Sequence, residues 1–205
     1  MTKTTSTTNP DRAPAATAAA TAAASATVNG LDAQALRGLI AEVAADKARG
    51  LAGFRVTTDW KGGTRSASRV EGWKLGGQHK RKDFVIASDE PHELLGGNTA
   101  PNPQELLLSA LNACMLVGYV AGAAMEGITL RSLSIETAGE LDLRGFLGLD
   151  PAVKPGYESL HYVVRIRGDG TPEQYRKIHE NVVAHSPNRW NIAQPVRLTS
   201  ELVLA

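Results

Sequence analysis

The chain has 205 residues, with 42% hydrophobic and 21% charged residues and a net charge of +1. This suits one soluble globular domain with a tail, and it gives no global pull toward nucleic acid or anionic membranes. The chain's one cysteine, Cys114, excludes an internal disulfide, so nothing calls for an oxidising compartment and a cytoplasmic location is expected.

Residues 1–30, MTKTTSTTNPDRAPAATAAATAAASATVNG, are nearly all Thr, Ala, Ser and Pro. Small residues bury too little area to offset chain entropy, so a disordered tail is expected. Only Lys3 and Arg12 are basic there, which disfavours a targeting peptide. A single domain over 31–205 is expected to follow. It opens with a helix over 31–49, where Leu31, Ala35, Leu36, Leu39, Ile40 and Val43 form a stripe, Asn29 or Asp32 caps the start and Gly50 stops it.

The alternation in FRVTTDW, the Gly62-Gly63 turn and TRSASRVEGW predict two strands, and RKDFVIASD a third. PHELLGGNTAPNP predicts a loop. A long helix is expected from Pro103 to Gly127, with Glu105 favourable in its first turn. Its segment Leu106–Met125 is long enough to cross a bilayer. Ser109, Asn112, Gly118 and Gly122, with no flanking basic cluster, favour instead the core helix of a soluble domain.

LRSLSIETAGELDL predicts a strand and GFLGLDPAVKPGY a turn-rich connection. SLHYVVRIRGD predicts a strand with Leu160, Tyr162, Val164 and Ile166 on one face. TPEQYRKIHENVVAH predicts a helix capped by Thr171, with His179 and His185 on its polar face and turn. PVRLTSELVLA predicts a closing strand. Strand runs with interposed helices define an α+β fold rather than a wound parallel sheet. In the long helix, Leu106, Leu107, Leu108, Leu111, Met115, Leu116 and Val117 occupy several faces. A helix apolar nearly all round needs cover nearly all round, which predicts an obligate homodimer.

By residue type alone, Cys114 is a small packing residue in an alanine-rich helix. The run His79–Lys82 reads as the solvated end of a strand. Asp89, Glu90, His92 and Glu93 match no metal-binding spacing, and Asp142 with Arg144 reads as an ion pair pinning a loop. No metal or cofactor is expected.

The segments Ser88–Pro91, Ala100–Cys114 and Asp142–Tyr157 carry a resemblance. From about Phe54 onward the chain resembles the OsmC/Ohr family, in a longer branch. The resemblance implies an intertwined homodimer with antiparallel sheets around two central helices. It implies that Cys114 attacks a peroxide and becomes a sulfenic acid. At the helix start the family's peroxidases have a glutamate where this chain has Gln104. Glu105 is one place off, turned by about 100°. Their resolving cysteine falls at Ser186, whose hydroxyl forms no disulfide. Their arginine falls in the early hairpin, at Arg65 or Arg69. His185 and Arg189 flank Ser186 as candidate basic partners of the thiol.

The resulting expectation is a one-cysteine peroxidase that reduces organic hydroperoxides with an external thiol reductant. The alternatives are a Cys114 enzyme acting on another small electrophile, and a non-enzymatic binder of an apolar ligand at the dimer interface. The expected partners are a small-molecule substrate, a thiol reductant and a second copy of the chain, with neither nucleic acid nor membrane.

Overall fold

The computed structural model describes residues 27–204. The expectation of a disordered tail lies outside them as far as residue 26, and its boundary at residue 30 is corrected. Thr27–Val28 (β1) pairs antiparallel with Leu31–Asp32 (β2). Asn29 and Gly30 form the turn with φ of 54° and 77°, the left-handed region in which Asn and Gly are tolerated best. Asn29 fastens this hairpin to the body. Its Nδ2 donates to the Ile128 carbonyl at 2.8 Å, and its Oδ1 accepts from the Leu130 N–H at 2.8 Å.

The first helix, Ala33–Ala45 (α1), is shorter than expected. Asp32 caps it, its Oδ1 accepting from the Gln34 and Ala35 N–H groups at 2.9 Å each. Asp46 ends it in extended backbone and caps a separate 3-10 turn over Lys47–Gly50.

The next sheet contains Ala52–Phe54 (β3), Thr57–Trp60 (β4), Ser66–Leu75 (β5) and Gln78–Ser88 (β6). β5 lies at its centre. β6 pairs along one edge of β5, while β3 and β4 pair in succession along the other. The single strand expected from FRVTTDW is thus two. Phe54 faces Trp73 and Thr57 faces Arg69, so two residues on one side span three on the other, and the ladder breaks at Arg55-Val56.

The helix Pro103–Met125 (α2) begins where its local chemistry predicts. Asn102 Oδ1 accepts from the Glu105 N–H, and Glu105 Oε2 accepts from the Asn102 N–H, both at 2.8 Å. This capping box satisfies two orphan donors reciprocally. Leu130–Ala138 (β7) and His161–Gly168 (β8) form a second antiparallel sheet. Between them lies the short helix Leu143–Phe146 (α3). Arg144 grips Asp142 through Nε and Nη2, pinning that loop as the sequence suggests. Pro172–His185 (α4) is capped by Thr171, and Pro187–Ala193 (α5) follows after Ser186.

The core lies where α2 and α4 meet the β7–β8 sheet. Leu111, Met115, Tyr119, Ala123, Ile128, Ile178 and Val182 are buried, with Leu133, Ile135, Val164 and Ile166 against them. Two glycines set the helix separation. A Cβ on Gly118 would meet Val182 Cγ2 at 3.0 Å, and one on Gly122 would meet Ile178 Cγ2 at 3.0 Å. Small residues there let the backbones approach closely. Asn112 ties α2 to the sheet, accepting from the Thr137 hydroxyl and donating to the Ile135 carbonyl. α2 meets the length and hydropathy needed to cross a bilayer, and here it is the central helix of this layered core. Its Leu107, Leu116 and Val117 remain 42%, 37% and 65% exposed.

The expected closing strand is corrected. Residues 195–204 form no strand and are exposed throughout. The period-two pattern is present, but the segment pairs with none of the described strands, and a strand without a paired edge has no backbone partners.

Candidate functional site

Cys114 sits midway along α2, half-buried. Its Sγ faces the junction of α4 and α5. The Ser186 hydroxyl donates to it at 3.5 Å, and the backbone N–H of Asn188 donates to it at 3.5 Å. Both donors are fixed by local structure. Ser186 is at once the last cap of α4 and the first of α5, and its own N–H donates to the Val182 carbonyl at 3.0 Å. The Asn188 side chain donates to the Ala110 carbonyl at 2.8 Å, locking the start of α5 onto α2. Pro187 stands at the first position of α5, where its missing N–H costs nothing.

One wall of a cavity of about 350 Å³ is formed by Cys114, with Val117, Gly118, Val182, His185 and Ser186 among the other lining residues. The site is therefore mostly apolar, with a thiol and two donors converging on one sulfur. The sulfur is the atom through which a cysteine acts as a nucleophile, and here it stands at the cavity wall.

The candidates named from the sequence divide into two groups. Ser186 and His185 are brought to Cys114. His185 lines the cavity, with Nδ1 at 2.9 Å from the Asn181 carbonyl. Gln104, Glu105, Arg65 and Arg189 are not. Gln104 is exposed and lies ten residues before Cys114, about 15 Å along the helix axis. Glu105 is spent on the capping box. Arg65 lies in the early hairpin, exposed, its Nε donating to the Gly62 carbonyl at 3.3 Å. Arg69 pairs with Asp59 at 2.8 Å. Arg189 turns away from the thiol to Tyr162 and Val183.

Two further corrections concern polar groups. His179 is no bystander on a polar face, because its Nδ1 lies 2.5 Å from the Tyr119 hydroxyl. Burial, and after it the neighbouring Tyr162, push the Tyr119 pKa up to about 12. Asp89 is 1% exposed and works as a structural anchor. Oδ1 accepts from the Thr64 hydroxyl at 2.6 Å, and Oδ2 from the Thr99 hydroxyl at 2.8 Å and the Gly97 and Thr99 N–H groups. The Thr64 and Thr99 hydroxyls, ahead of the opposing desolvation, hold its carboxyl well below the usual range. Asp89 thus clamps the loop before α2 onto the hairpin that carries Arg65.

Sequence reasoning missed the Asn188 N–H, since a backbone donor leaves no mark in residue type. Proline directly after Ser186 was the available signal that a new helix begins beside the thiol.

An α+β fold with antiparallel sheets, and one cysteine facing the junction of two helices, defines the class. A family model described as OsmC-like protein matches residues 96–201, and the chain belongs to this family. Among solved structures, it is similar to an OsmC-like protein from Mycoplasma pneumoniae. The identity is 15%, the TM-score 0.55, and 69% of this chain and 88% of that one are covered. It is similar as well to a Psychrobacter arcticus protein assigned to osmotic stress induction and detoxification response. There the identity is 17%, the TM-score 0.52, and the coverage 68% and 88%. At these identities the likeness shows the fold alone. A search of curated proteins gives no match.

Proposed function

We propose that the protein is a cytoplasmic, homodimeric thiol peroxidase that reduces organic hydroperoxides through Cys114. The observation that carries this reading is the sulfur itself, which lines an apolar cavity and faces two fixed donors, in a chain of the OsmC-like family. The Cys114 thiolate attacks one peroxide oxygen. An S–O bond forms, the O–O bond breaks, and the other oxygen leaves as an alkoxide that takes a proton to become the alcohol. Cys114 is left as a sulfenic acid. The chain has no second cysteine, so an external thiol attacks this sulfur and releases water. A second thiol then exchanges with the mixed disulfide, restoring Cys114 and leaving the reductant as a disulfide.

Ser186 supplies a donor where a two-cysteine enzyme places its resolving sulfur. The dimer brings the remaining groups. Arg65, which does not line the Cys114 cavity of its own chain, reaches the thiol of the second copy and stabilises the negative charge that develops on the peroxide. Gln104, at the exposed start of α2, belongs to the same interface.

The test is peroxide consumption with a dithiol reductant, comparing wild type with Cys114→Ser. We expect cumene hydroperoxide turnover to fall by at least a hundredfold in the variant. Equal rates would eliminate the proposal.

A second reading is favoured by the carboxamide Gln104 and the hydroxyl Ser186, which stand in place of a carboxylate and a thiol. Cys114 would then attack a different small electrophile. Saturable alkylation of Cys114 without peroxide turnover would select it. A merely ligand-binding pocket would retain its ligand in Cys114→Ala.

A further inference from the structure

A second cavity lies on the far side of the first turn of α5, among α2, α5 and the chain leading into β8. Its volume is about 440 Å³, within the range of about 300–1,000 Å³ usual for small-molecule sites. Leu107, Leu111, Leu160 and Ile192 supply aliphatic walls, and Tyr162 and Arg189 contribute polar atoms.

Arg189 is unusual here. It is half-buried, and its Nε donates to the Tyr162 hydroxyl at 3.1 Å and its Nη1 to the Val183 carbonyl at 2.8 Å. Both acceptors are neutral. Among the described residues it makes no ion pair, and Nη2 has no hydrogen-bond partner. The carboxylate that lines the same cavity, Glu158, is engaged by Lys154 at 3.1 Å. The Tyr162 hydroxyl accepts from Arg189 and keeps its own hydrogen free to donate. Nη2–H and the Tyr162 O–H are therefore two neighbouring donors beside one uncompensated positive charge, at an apolar hollow.

We propose that this cavity is a binding site for a medium-chain aliphatic monocarboxylate. The carboxylate takes the Arg189 Nη2–H and Tyr162 O–H donors, and the alkyl chain lies against Leu107, Leu111, Leu160 and Ile192. A monoanion fits better than a phosphate ester, because Arg189 is the one cationic residue lining the cavity, and a dianion would keep an unpaired charge on desolvation. The arginine is already held by two neutral acceptors, so little ordering remains to be done on binding. This site is separate from the Cys114 cavity and does not depend on the chemistry proposed there.

Isothermal titration of the full-length protein with octanoate, octan-1-ol and acetate tests the assignment. Octanoate is expected to bind saturably, one per subunit. Octanol should bind at least tenfold more weakly and acetate without measurable saturation. Arg189→Gln should weaken octanoate by at least tenfold and leave octanol unchanged, while Cys114→Ala should bind octanoate as the wild type does. Since Arg189 also holds the end of α4, Ala193→Phe serves as the second variant. It fills the cavity from an exposed position on α5 and should abolish binding while helical content is retained. No saturable octanoate binding to the wild type, as when a second copy of the chain fills the hollow, overturns the assignment. So do equal affinities for octanoate and octanol, or an unchanged affinity in both variants.

Discussion

The two sheets of this molecule differ in what they rest on. The β7–β8 sheet lies against α2 and α4, and its inward residues Leu133, Ile135, Val164 and Ile166 meet a core in which Met115 and Ala123 are fully buried. The β3–β6 sheet is larger, yet it has no such layer. Phe54, Trp60, Phe84 and Val85 are 77%, 76%, 62% and 64% exposed. Phe84 and Val85 are adjacent on β6 and point to opposite faces, so both faces of this sheet lack cover. An amphipathic element must bury its apolar face against something, and among the described residues these four side chains are left without that cover. The proposed second copy would be the missing layer, and it would also cover the exposed Leu116 and Val117 of α2 and give the apolar segment 195–204 an edge to pair with.

The largest expected effect breaks this comparison at its weak half. Phe84→Glu should raise the dimer dissociation constant by at least about a hundredfold, on the order of 3 kcal/mol, because a charge enters a desolvated apolar interface. Sedimentation velocity across micromolar concentrations measures it. A wild type that is a folded monomer there, or a variant that dimerises as well as wild type, contradicts the account.

Next comes the strong half. Met115→Ala removes a side chain with no exposure and should cost about 2–5 kcal/mol, a fall of roughly 5–15 °C in Tm by calorimetry. A loss below about 1 kcal/mol would mean that the α2–α4 core is not the stable half.

Much of the strong half was legible in the sequence, because its signals are local. Asn102, Pro103 and Glu105 fix the start of α2 within four residues, and Thr171 with Pro172 does the same for α4. Asp142 and Arg144 lie two residues apart and find each other. The weak half was read less well. The division of FRVTTDW into β3 and β4 depends on register with β5, some fifteen residues away, and PVRLTSELVLA reads as a strand although it pairs with no described strand of its own chain. The site was legible only in part. No spacing rule brings Ser186 to Cys114 across 72 residues, and that pairing entered through the family resemblance. The Asn188 N–H and the Tyr119–His179 bond depend wholly on how α4 and α5 lie on α2.

Smaller effects sharpen the site. Ser186→Cys places a second sulfur where an oxygen now lies 3.5 Å from Sγ. Mild oxidation of this variant should close a disulfide, and free thiols per subunit should fall from two to zero by colorimetric titration. Persistence of both thiols would mean that the α4–α5 junction cannot approach α2 as drawn.

A subtler effect is the alkaline limb of stability. The Tyr119 pKa, raised to about 12 by burial, exceeds the unfolded value of about 10. The unfolded chain therefore releases this proton first. The contribution is complete below about pH 10 and is lost as pH rises through about 12. Tyr119→Phe should flatten the fall in Tm across that window relative to wild type. A parallel slope in both proteins would refute the assignment.

The central claim is that Cys114 of one copy works with Arg65 of the other. Subunits carrying Cys114→Ser and subunits carrying Arg65→Ala should each be inactive as homodimers. A purified heterodimer of the two holds one site with both residues intact, so the account predicts about half the wild-type peroxidase activity per dimer. A heterodimer as inactive as its parents, with wild-type homodimers active in the same assay, would contradict it.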